Sequence, residues 1–435
     1  MDNNIKYPRI LVISSNAFSD TSNNGKTLAS FFKEFPENKV AQLYFNSELP
    51  ENSYYHNYFR ITDYEMVKSI ITDKCTCGNK IKSDITKADR KIQEKKKSLI
   101  CAVKNYNISR IIREILWKSK NWKTEELNQW LEEFSPEIIF LCAGDGVFTY
   151  DITKYIKEKF GAKLVVYITD DYVLPRKTVS PFWWLRRNYI IVKMKDAIQQ
   201  SDLFITISQQ MQETYKEMFN KDSILAVNMT ESMRDESVIL NYNKETTLVY
   251  AGGLHYKRYT TLNLLAKAIK KYNDDSVNEQ KVYLKIYSEQ DPNNYVLKCL
   301  NVEGASKFCG RLNQTELREV LNSCDIPVHV ESFDAKSIES TRLSISTKIP
   351  EYLSLGKPVL AIGPNQVASI EYLKDSAFCI TDKDDIYFNL KALFDNKSLL
   401  EELSSSALLK FEQSHNKDQI TNEFISYLIR IYEGK

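Results

Sequence analysis

The stretch Ser344-Ile345-Ser346-Thr347-Lys348-Ile349-Pro350-Glu351-Tyr352-Leu353-Ser354-Leu355-Gly356-Lys357-Pro358-Val359-Leu360 reads as a loop, a helix and the entry to a strand. Ser344 or Ser346 can cap a helix, and the spacing predicts that helix over Thr347–Leu355. Gly356 ends it, and Pro358 leads into an apolar strand, Pro358–Ile362. The start of such a helix leaves amides unpaired, which suits an anion. Lys348 stands in the first turn, beside any diphosphate held there. Glu351 lies one turn further on, where a carboxylate can accept both hydroxyls of a ribose; the bland alternative is a surface helix acid.

The same alternation continues on both sides. Upstream, short apolar runs at Arg9–Ser15, Val40–Phe45, Ile138–Ala143, Leu164–Thr169, Leu203–Ser208 and Ile224–Asn228 are continuous rather than alternating, as buried parallel strands are. Helical spacing recurs between them, at Thr124–Phe134, Thr149–Phe160 and Gln209–Phe219. The pattern restarts with strands at Thr247–Ala251, Val282–Tyr287, Lys307–Cys309, Ile326–Val330, Pro358–Ile362 and Phe378–Thr381. Strand–helix alternation implies doubly wound parallel sheets, hence an α/β chain of two halves. The expected division is an N-terminal domain over 1–235, a polar join near Glu231–Thr246, a C-terminal domain over 246–410, and a terminal helix over 411–435 that packs back on the first domain.

Composition agrees with two ordinary cores. Hydrophobic residues make up 43% of the 435, and 59 basic against 57 acidic side chains leave a formal charge of +2, so the chain as a whole is no polyanion binder. The eight cysteines are scattered, several in apolar runs, which argues for reduced thiols over a disulfide framework. Cys75-Thr76-Cys77 has no second pair at metal spacing, so no metal is expected. No signal segment and no membrane-spanning run is visible, so the expectation is a cytoplasmic protein.

Charge is concentrated locally. Residues 78–123 hold fourteen Lys or Arg and four acids, a local +10 (14 − 4), with Ile108, Ile111, Ile112, Ile115 and Leu116 at helical spacing. This basic helical insertion is either a solvated helix packed on its apolar stripe or a docking element for an anionic membrane surface. Pro181-Phe182-Trp183-Trp184-Leu185-Arg186-Arg187 reads the same two ways, as core or as an interfacial segment. No nucleic-acid motif accompanies the charge, so nucleic acid is not an expected partner.

Further candidate chemistry sits at strand ends, where open α/β sheets bind ligands. After the first strand, Gly25 and Lys26 open a helix, either as an ordinary helix start or as a loop that approaches a ligand. Ala251-Gly252-Gly253-Leu254-His255-Tyr256-Lys257-Arg258 joins two glycines to two cations, a possible phosphate cradle. Asp170 follows Leu164–Thr169, where it either turns the chain or orients an acceptor hydroxyl.

Ser346-Thr347-Lys348-Ile349-Pro350-Glu351-Tyr352-Leu353, with Gly356-Lys357-Pro358-Val359, resembles the nucleotide-sugar signature of GT-B glycosyltransferases, in particular glycosyltransferase family four. Gly25, the Gly252–Arg258 element and Phe308-Cys309-Gly310-Arg311-Leu312 resemble that group in the same order. The resemblance implies two Rossmann-like domains facing across a cleft. The donor, a nucleotide-diphosphate sugar such as a UDP-sugar, would lie on the C-terminal domain, and a glycan or lipid-linked acceptor on the N-terminal one. It implies Glu351 at the donor ribose, Lys348 with the amides after Ser346 and Thr347 at the diphosphate, Arg258 beside Lys257 where the family keeps a phosphate-binding lysine, and Gly310 and Arg311 beside the base. It implies transfer without a metal or other cofactor, with retention. The basic insertion fits a lipid-linked or surface-polysaccharide acceptor, hence surface polysaccharide or glycolipid biosynthesis, peripheral on the inner face of the cytoplasmic membrane. Two departures stand out. The position eight before Glu351, often a second glutamate, is Leu343, and an arginine that often follows the first glycine is Gly253. They leave open a catalytically silent scaffold subunit, and a sugar-nucleotide epimerase shares the fold.

Overall fold

In this computed structural model, residues 6–20, 23–72, 77–81, 107–235, 245–275 and 280–434 are described. Most of the basic segment, 82–106, lies outside them, as do Cys75, Cys101 and part of the expected join. The chain divides into two compact units. One comprises Met1–Ile207, Gln212–Ala226 and Thr421–Lys435, and the other Ser208–Met211 and Val227–Ile420.

The N-terminal unit is built on strands β1 (Ile10–Ser14), β2 (Val40–Tyr44), β3 (Tyr58–Arg60), β4 (Asn79–Ile81), β5 (Ile138–Ala143), β6 (Lys163–Ile168), β7 (Leu203–Thr206) and β8 (Ile224–Leu225). They lie in the order β4-β3-β2-β1-β5-β6-β7-β8. Every pairing is parallel except that of β3 with β4. β3 and the edge strand β4 have three residues each, too short for any periodicity to announce them. Helices α1 (Asn23–Phe32), α2 (Asp63–Ile71), α3 (Asn107–Trp117), α4 (Glu125–Phe134), α5 (Val147–Phe160), α6 (Pro181–Gln199) and α7 (Gln209–Phe219) connect them. All five residues of β1 and of β2 are buried, as both faces of a covered parallel sheet require. Gly25 lets the loop after β1 fold tightly onto α1: a Cβ there would stand 2.1 Å from the Ala17 carbonyl oxygen.

The C-terminal unit restarts the pattern with β9 (Glu245–Ala251), β10 (Lys281–Tyr287), β11 (Ser306–Gly310), β12 (Ile326–Val330), β13 (Leu360–Ile362) and β14 (Phe378–Ile380). They form an all-parallel sheet in the order β11-β10-β9-β12-β13-β14. The order turns back on itself between β9 and β12, the place where doubly wound sheets take their ligands. Its helices are α8 (Arg258–Asp274), α9 (Asn294–Leu300), α10 (Gln314–Ser323), α11 (Ala335–Thr341), α12 (Ile349–Leu353), α13 (Ala368–Leu373), α14 (Ile386–Phe394) and α15 (Lys397–Ser414). Leu248, Leu262, Leu265, Leu284 and Val328 form part of one core layer, and Val249, Ile349, Tyr352, Leu353 and Ala361 part of the other.

Two local readings change. The helix expected over Thr347–Leu355 spans only Ile349–Leu353, and neither serine caps it: Lys348 is its N-cap, and Ser346 Oγ accepts only a long 3.4 Å bond from the Lys348 amide. Pro350 supplies the turn instead, since its fixed φ suits the first helical turn. The terminal helix expected over 411–435 begins earlier, within α15, and is not continuous. It breaks at His415 and resumes as α16 (Lys417–Glu433), where Phe424 packs on Phe31, Phe32 and Phe140 of the N-terminal unit's core.

The break is held by a buried ring. His415 has no exposed surface; its Nδ1 lies 2.7 Å from the Asn228 carbonyl oxygen and its Nε2 2.9 Å from the Tyr372 hydroxyl. A neutral imidazole satisfies both, donating at Nδ1 and accepting at Nε2. Burial pulls its pKa down to about 4. The unfolded chain therefore binds a proton that the folded one refuses, and stability present above pH 6.5 drains away as the pH falls toward 4, by about 3 kcal/mol. His415→Gln should flatten this part of the stability–pH curve, measured by urea unfolding at several pH values. An unchanged slope would remove His415 as its cause.

Candidate functional site

The carboxyl edge of the C-terminal sheet is stitched from loop to loop. The Gly252 amide donates to the Tyr287 carbonyl at 3.1 Å, and the Ser288 amide to the Gly310 carbonyl at 2.9 Å. The Leu254 amide donates to Gln290 Oε1 at 2.8 Å, and the Gln290 amide nitrogen lies against the His255 ring. Tyr250 Oη donates to the Gly253 carbonyl at 2.6 Å. The helix that carries Glu351 is tied to the same edge, because Tyr352 Oη bonds both the amide and the carbonyl of Ala251 at 3.0 Å.

Arg258 begins α8 and reaches across to Glu331, the first residue beyond β12. Its Nη2 is 2.8 Å from Oε1 and its Nε 3.2 Å from Oε2. Glu331 keeps only 1% of its side chain exposed and Arg258 16%. Burial raises the Glu331 pKa, but Arg258 and His329 outweigh it and hold the carboxyl below the usual carboxylate range. His329 Nε2 is 3.3 Å from Glu331 Oε1, a charge-range contact without hydrogen-bond geometry. Behind the acid, Gly363 leaves no room for a side chain: a Cβ there would stand 2.7 Å from the Glu331 Cβ. Thr261 Oγ1 donates to the Glu331 carbonyl at 2.8 Å, so α8 and β12 are joined twice.

The other residues read from the sequence stand as follows. Lys257 caps α8 in the left-handed region (φ 55°) and pairs with Asp334 at 2.7 Å. That hydrogen bond holds Asp334 below the ordinary range and raises Lys257. Lys348 Nζ lies 2.9 Å from Glu351 Oε2, with 31% and 11% of the two side chains exposed. Thr347 is exposed, and the Ser346 amide donates to Ser369 Oγ at 3.1 Å. Gly310 ends β11 at φ +90°, and the exposed Arg311 pairs with Asp291 at 2.7 Å. Leu343 is buried, with 4% of its surface exposed. The structure thus gathers Lys257 and Arg258 at the β9–β12 switch, pairs Lys348 with Glu351 on the helix tied to the end of β9, and sets Arg311 beyond β11. Each of these four cations carries a carboxylate partner.

Glu331 was not singled out in the sequence, and neither was Asp334. The signal available was an apolar strand followed directly by an acid, Ile326-Pro327-Val328-His329-Val330-Glu331.

In the N-terminal unit Gly25 is buried in the first turn of α1, and Lys26 is half-buried beside it. Asp170 is half-buried two residues past β6, 3.5 Å from the Tyr172 hydroxyl. Its neighbour Asp171 accepts the amides of Val173 and Leu174 and so shapes the turn. Asp145, two residues past β5, binds Arg110 of α3 at 3.1 Å and Arg186 of α6 at 2.9 Å. The sequence signal missed here was an acid between two glycines at a strand end, Gly144-Asp145-Gly146.

Helix α3 packs on only part of its apolar stripe, with Ile111 and Leu116 half-buried. Glu114 and Trp117 are buried beneath it, and Arg113 is half-buried beside them. Arg113 and Trp117 Nε1 bind Asp63 at 2.8 Å, Glu114 accepts the Val147 amide at 3.1 Å, and Trp117 stacks on Phe148 at 3.8 Å. These polar anchors and one aromatic stack decide the orientation, and Ile112 and Ile115 are left 61% exposed.

No protein-family profile and no curated protein matches the chain. Solved structures do match over nearly its whole length. HepE of Anabaena, in complex with UDP, has a TM-score of 0.60 at 12% identity, with 95% of this chain and 98% of that one covered. A glycosyltransferase from Rickettsia africae has a TM-score of 0.60 at 10% identity, with 99% and 100% covered. An alpha,alpha-trehalose-phosphate synthase (UDP-forming) from Burkholderia xenovorans, in complex with glucose-6-phosphate, has a TM-score of 0.58 at 8% identity, with 97% and 100% covered. At these identities the likeness is one of fold: the chain is an α/β protein of the GT-B class, with two parallel-sheet domains.

The two basic residues at the switch should differ sharply when removed. Arg258→Met strands a buried carboxylate and should destabilise by about 3–5 kcal/mol. Lys257→Met breaks an exposed pair and should leave the denaturation midpoint within error. Urea unfolding of the two variants checks this, and equal effects would contradict the burial of the Arg258–Glu331 pair.

Proposed function

We propose that this chain is a sugar-nucleotide-dependent glycosyltransferase of the family-four type. It transfers a sugar from a nucleotide-diphosphate donor, a UDP-sugar in the first instance, to an acceptor hydroxyl. The observation that carries the reading is the set of carboxylate-matched cations at the β9–β12 edge, with Lys348 and Glu351 on a helix tied to the end of β9. The UDP in the HepE structure supports the choice of nucleotide.

The donor lies on the C-terminal unit. Its diphosphate replaces Asp334 and Glu351 as partner of the half-exposed Lys257 and Lys348, while the buried Arg258 stays on Glu331 as a fixed positive group. Released from Lys348, the Glu351 carboxylate accepts the two ribose hydroxyls. Gly310 and Arg311 flank the base. When the bond between the anomeric carbon and the diphosphate oxygen breaks, the new charge on the leaving group meets these cations and the backbone amides after Ser346, without need of a metal. The acceptor oxygen forms the new bond, with retention, and its proton passes to the leaving diphosphate. Asp170 orients the acceptor hydroxyl on the N-terminal unit, where Gly25 and Lys26 shape the loop after β1. A lipid-linked or surface-polysaccharide acceptor at the cytoplasmic membrane face suits the basic character of that unit. Among the described residues no helix is long and apolar enough to cross a membrane.

The test is a thermal-shift series with UDP, GDP, ADP, CMP and dTDP. One of them, expected to be UDP, should stabilise the protein by about 2.7 kcal/mol at a hundredfold excess over Kd. Glu351→Gln should weaken that nucleotide at least about tenfold, in line with the ~1.5–3 kcal/mol of a charged hydrogen bond. Stabilisation by none of the five would favour the silent scaffold subunit. Conversion of the donor sugar without any acceptor would favour the epimerase.

A further inference from the structure

Helices α3 and α6 of the N-terminal unit share one anchor, and each exposes apolar side chains. Arg110 from α3 and Arg186 from α6 bind the same Asp145 carboxylate, and Lys118 Nζ stands 4.8 Å over the ring of Tyr189 on α6. The buried side of α6 is Arg186, Ile190, Met194, Ala197 and Ile198. Its opposite side carries Phe182, Leu185, Tyr189 and Val192 at helical spacing, with Phe182 44%, Leu185 63% and Val192 63% exposed. Ile112 and Ile115 on α3, each 61% exposed, lie on the helix that Lys118 joins to Tyr189. Trp184 adds an exposed indole beneath the Arg187 guanidinium, 5.5 Å from the ring centroid.

Charge around this face is predominantly positive, with Asp63, Asp145 and Asp151 engaging four of its cations, Arg113, Arg110, Arg186 and Lys193. Residues 107–123 and 176–195 contain eleven Lys or Arg and a single acid, Glu114, and that acid is buried against the Val147 amide. A second copy of the chain is a poor occupant, because face-to-face contact would set the remaining cations, Lys118, Lys120, Lys123, Arg187 and Lys195 among them, against their own like. Nucleic acid would use the cations and leave the isoleucines, leucine and valine in water. A bilayer with anionic headgroups uses both: apolar side chains and the indole enter the headgroup–acyl boundary, while the cations remain in the negative double layer.

We propose that the outer face of α3 and α6 is a docking surface for an anionic lipid bilayer, with Ile112, Ile115, Phe182, Leu185, Tyr189 and Val192 as the inserted side chains. The proposal deepens the membrane-borne acceptor reading and rests on it for its purpose, but the binding is measurable without turnover. It also replaces part of the segment read from the sequence: Arg186 is 8% exposed and engaged with Asp145, so it belongs to the platform rather than to the contact.

The experiment is co-sedimentation of the full-length protein with phosphatidylcholine vesicles, alone or containing about one third phosphatidylglycerol. Binding should rise steeply with the anionic lipid, roughly fivefold for each cation engaged. The double variant I115E/L185E, altered only at exposed positions, should lose at least about tenfold in vesicle binding and keep its melting temperature and its nucleotide-induced shift. The exposed-charge variant K120E/K195E should lose a similar factor and become less sensitive to salt. Equal binding to neutral and anionic vesicles, or full binding by I115E/L185E, would overturn the proposal. So would unchanged vesicle binding together with a dimer that I115E/L185E dissociates. Vesicle binding without any nucleotide shift would sustain the docking surface and sink the transferase reading, so the two fail separately.

Discussion

A carboxylate with 1% of its side chain exposed stays ionised only with a cation held against it, and in the C-terminal unit that cation is Arg258. The pair sits where the strand order reverses between β9 and β12. It fixes the start of α8 to the end of β12, and the Thr261 bond to the Glu331 carbonyl closes a second link. Around this point the neighbouring loops have little freedom. Gly363 must be a glycine to pass behind the acid, and Tyr250 and Tyr352 tie the ends of β9 in place. A rigid edge with one fixed internal charge is a suitable platform for exchangeable pairs, and Lys257–Asp334 and Lys348–Glu351 are two pairs that keep exposed surface. A fixed positive group that needs no rearrangement when charge develops is the electrostatic arrangement that lowers a transfer barrier.

The N-terminal unit solves a related problem at its own carboxyl edge. Asp145 is drawn up in pKa by burial, yet Arg186 and Arg110 hold it below the ordinary range. Because those arginines come from two helices, the one carboxylate sets how α3 and α6 lie on the sheet. Glu114 and Asp63 finish the anchoring. The polar side of α3 is spent on the protein, and Ile112 and Ile115 are left outward. The exposure of Ile112 and Ile115 has a physical cause here: a buried, paired charge network is harder to leave unsatisfied than an isoleucine is to leave in water.

The sheets were legible because continuous buried strands such as Ile10–Ser14 and Ile138–Ala143 announce themselves by apolarity alone. The three-residue β3 and β4 were not, since a strand of that length carries no period. Gly356-Lys357-Pro358 correctly marked the passage from helix to strand. It did not reveal that Lys357 is 4% exposed and gives its ammonium to the carbonyls of Leu321, Asn322 and Cys324 at the end of α10. Those partners lie more than thirty residues away, and no local pattern encodes them.

The sequence by itself determined that this is a chain of two α/β halves, that Lys348 and Glu351 lie three residues apart beside a helix start, and that basic charge gathers in the first half. Those properties follow from side-chain polarity and spacing along the chain, which are local. Only the tertiary structure decided that Glu331 is the partner of Arg258, that Asp145 gathers two arginines, and which face of α3 meets water. Each of these rests on contacts between residues far apart in sequence. Burial there makes an unpaired charge so unfavourable that the partner, once the strands bring it near, is dictated by proximity rather than by pattern.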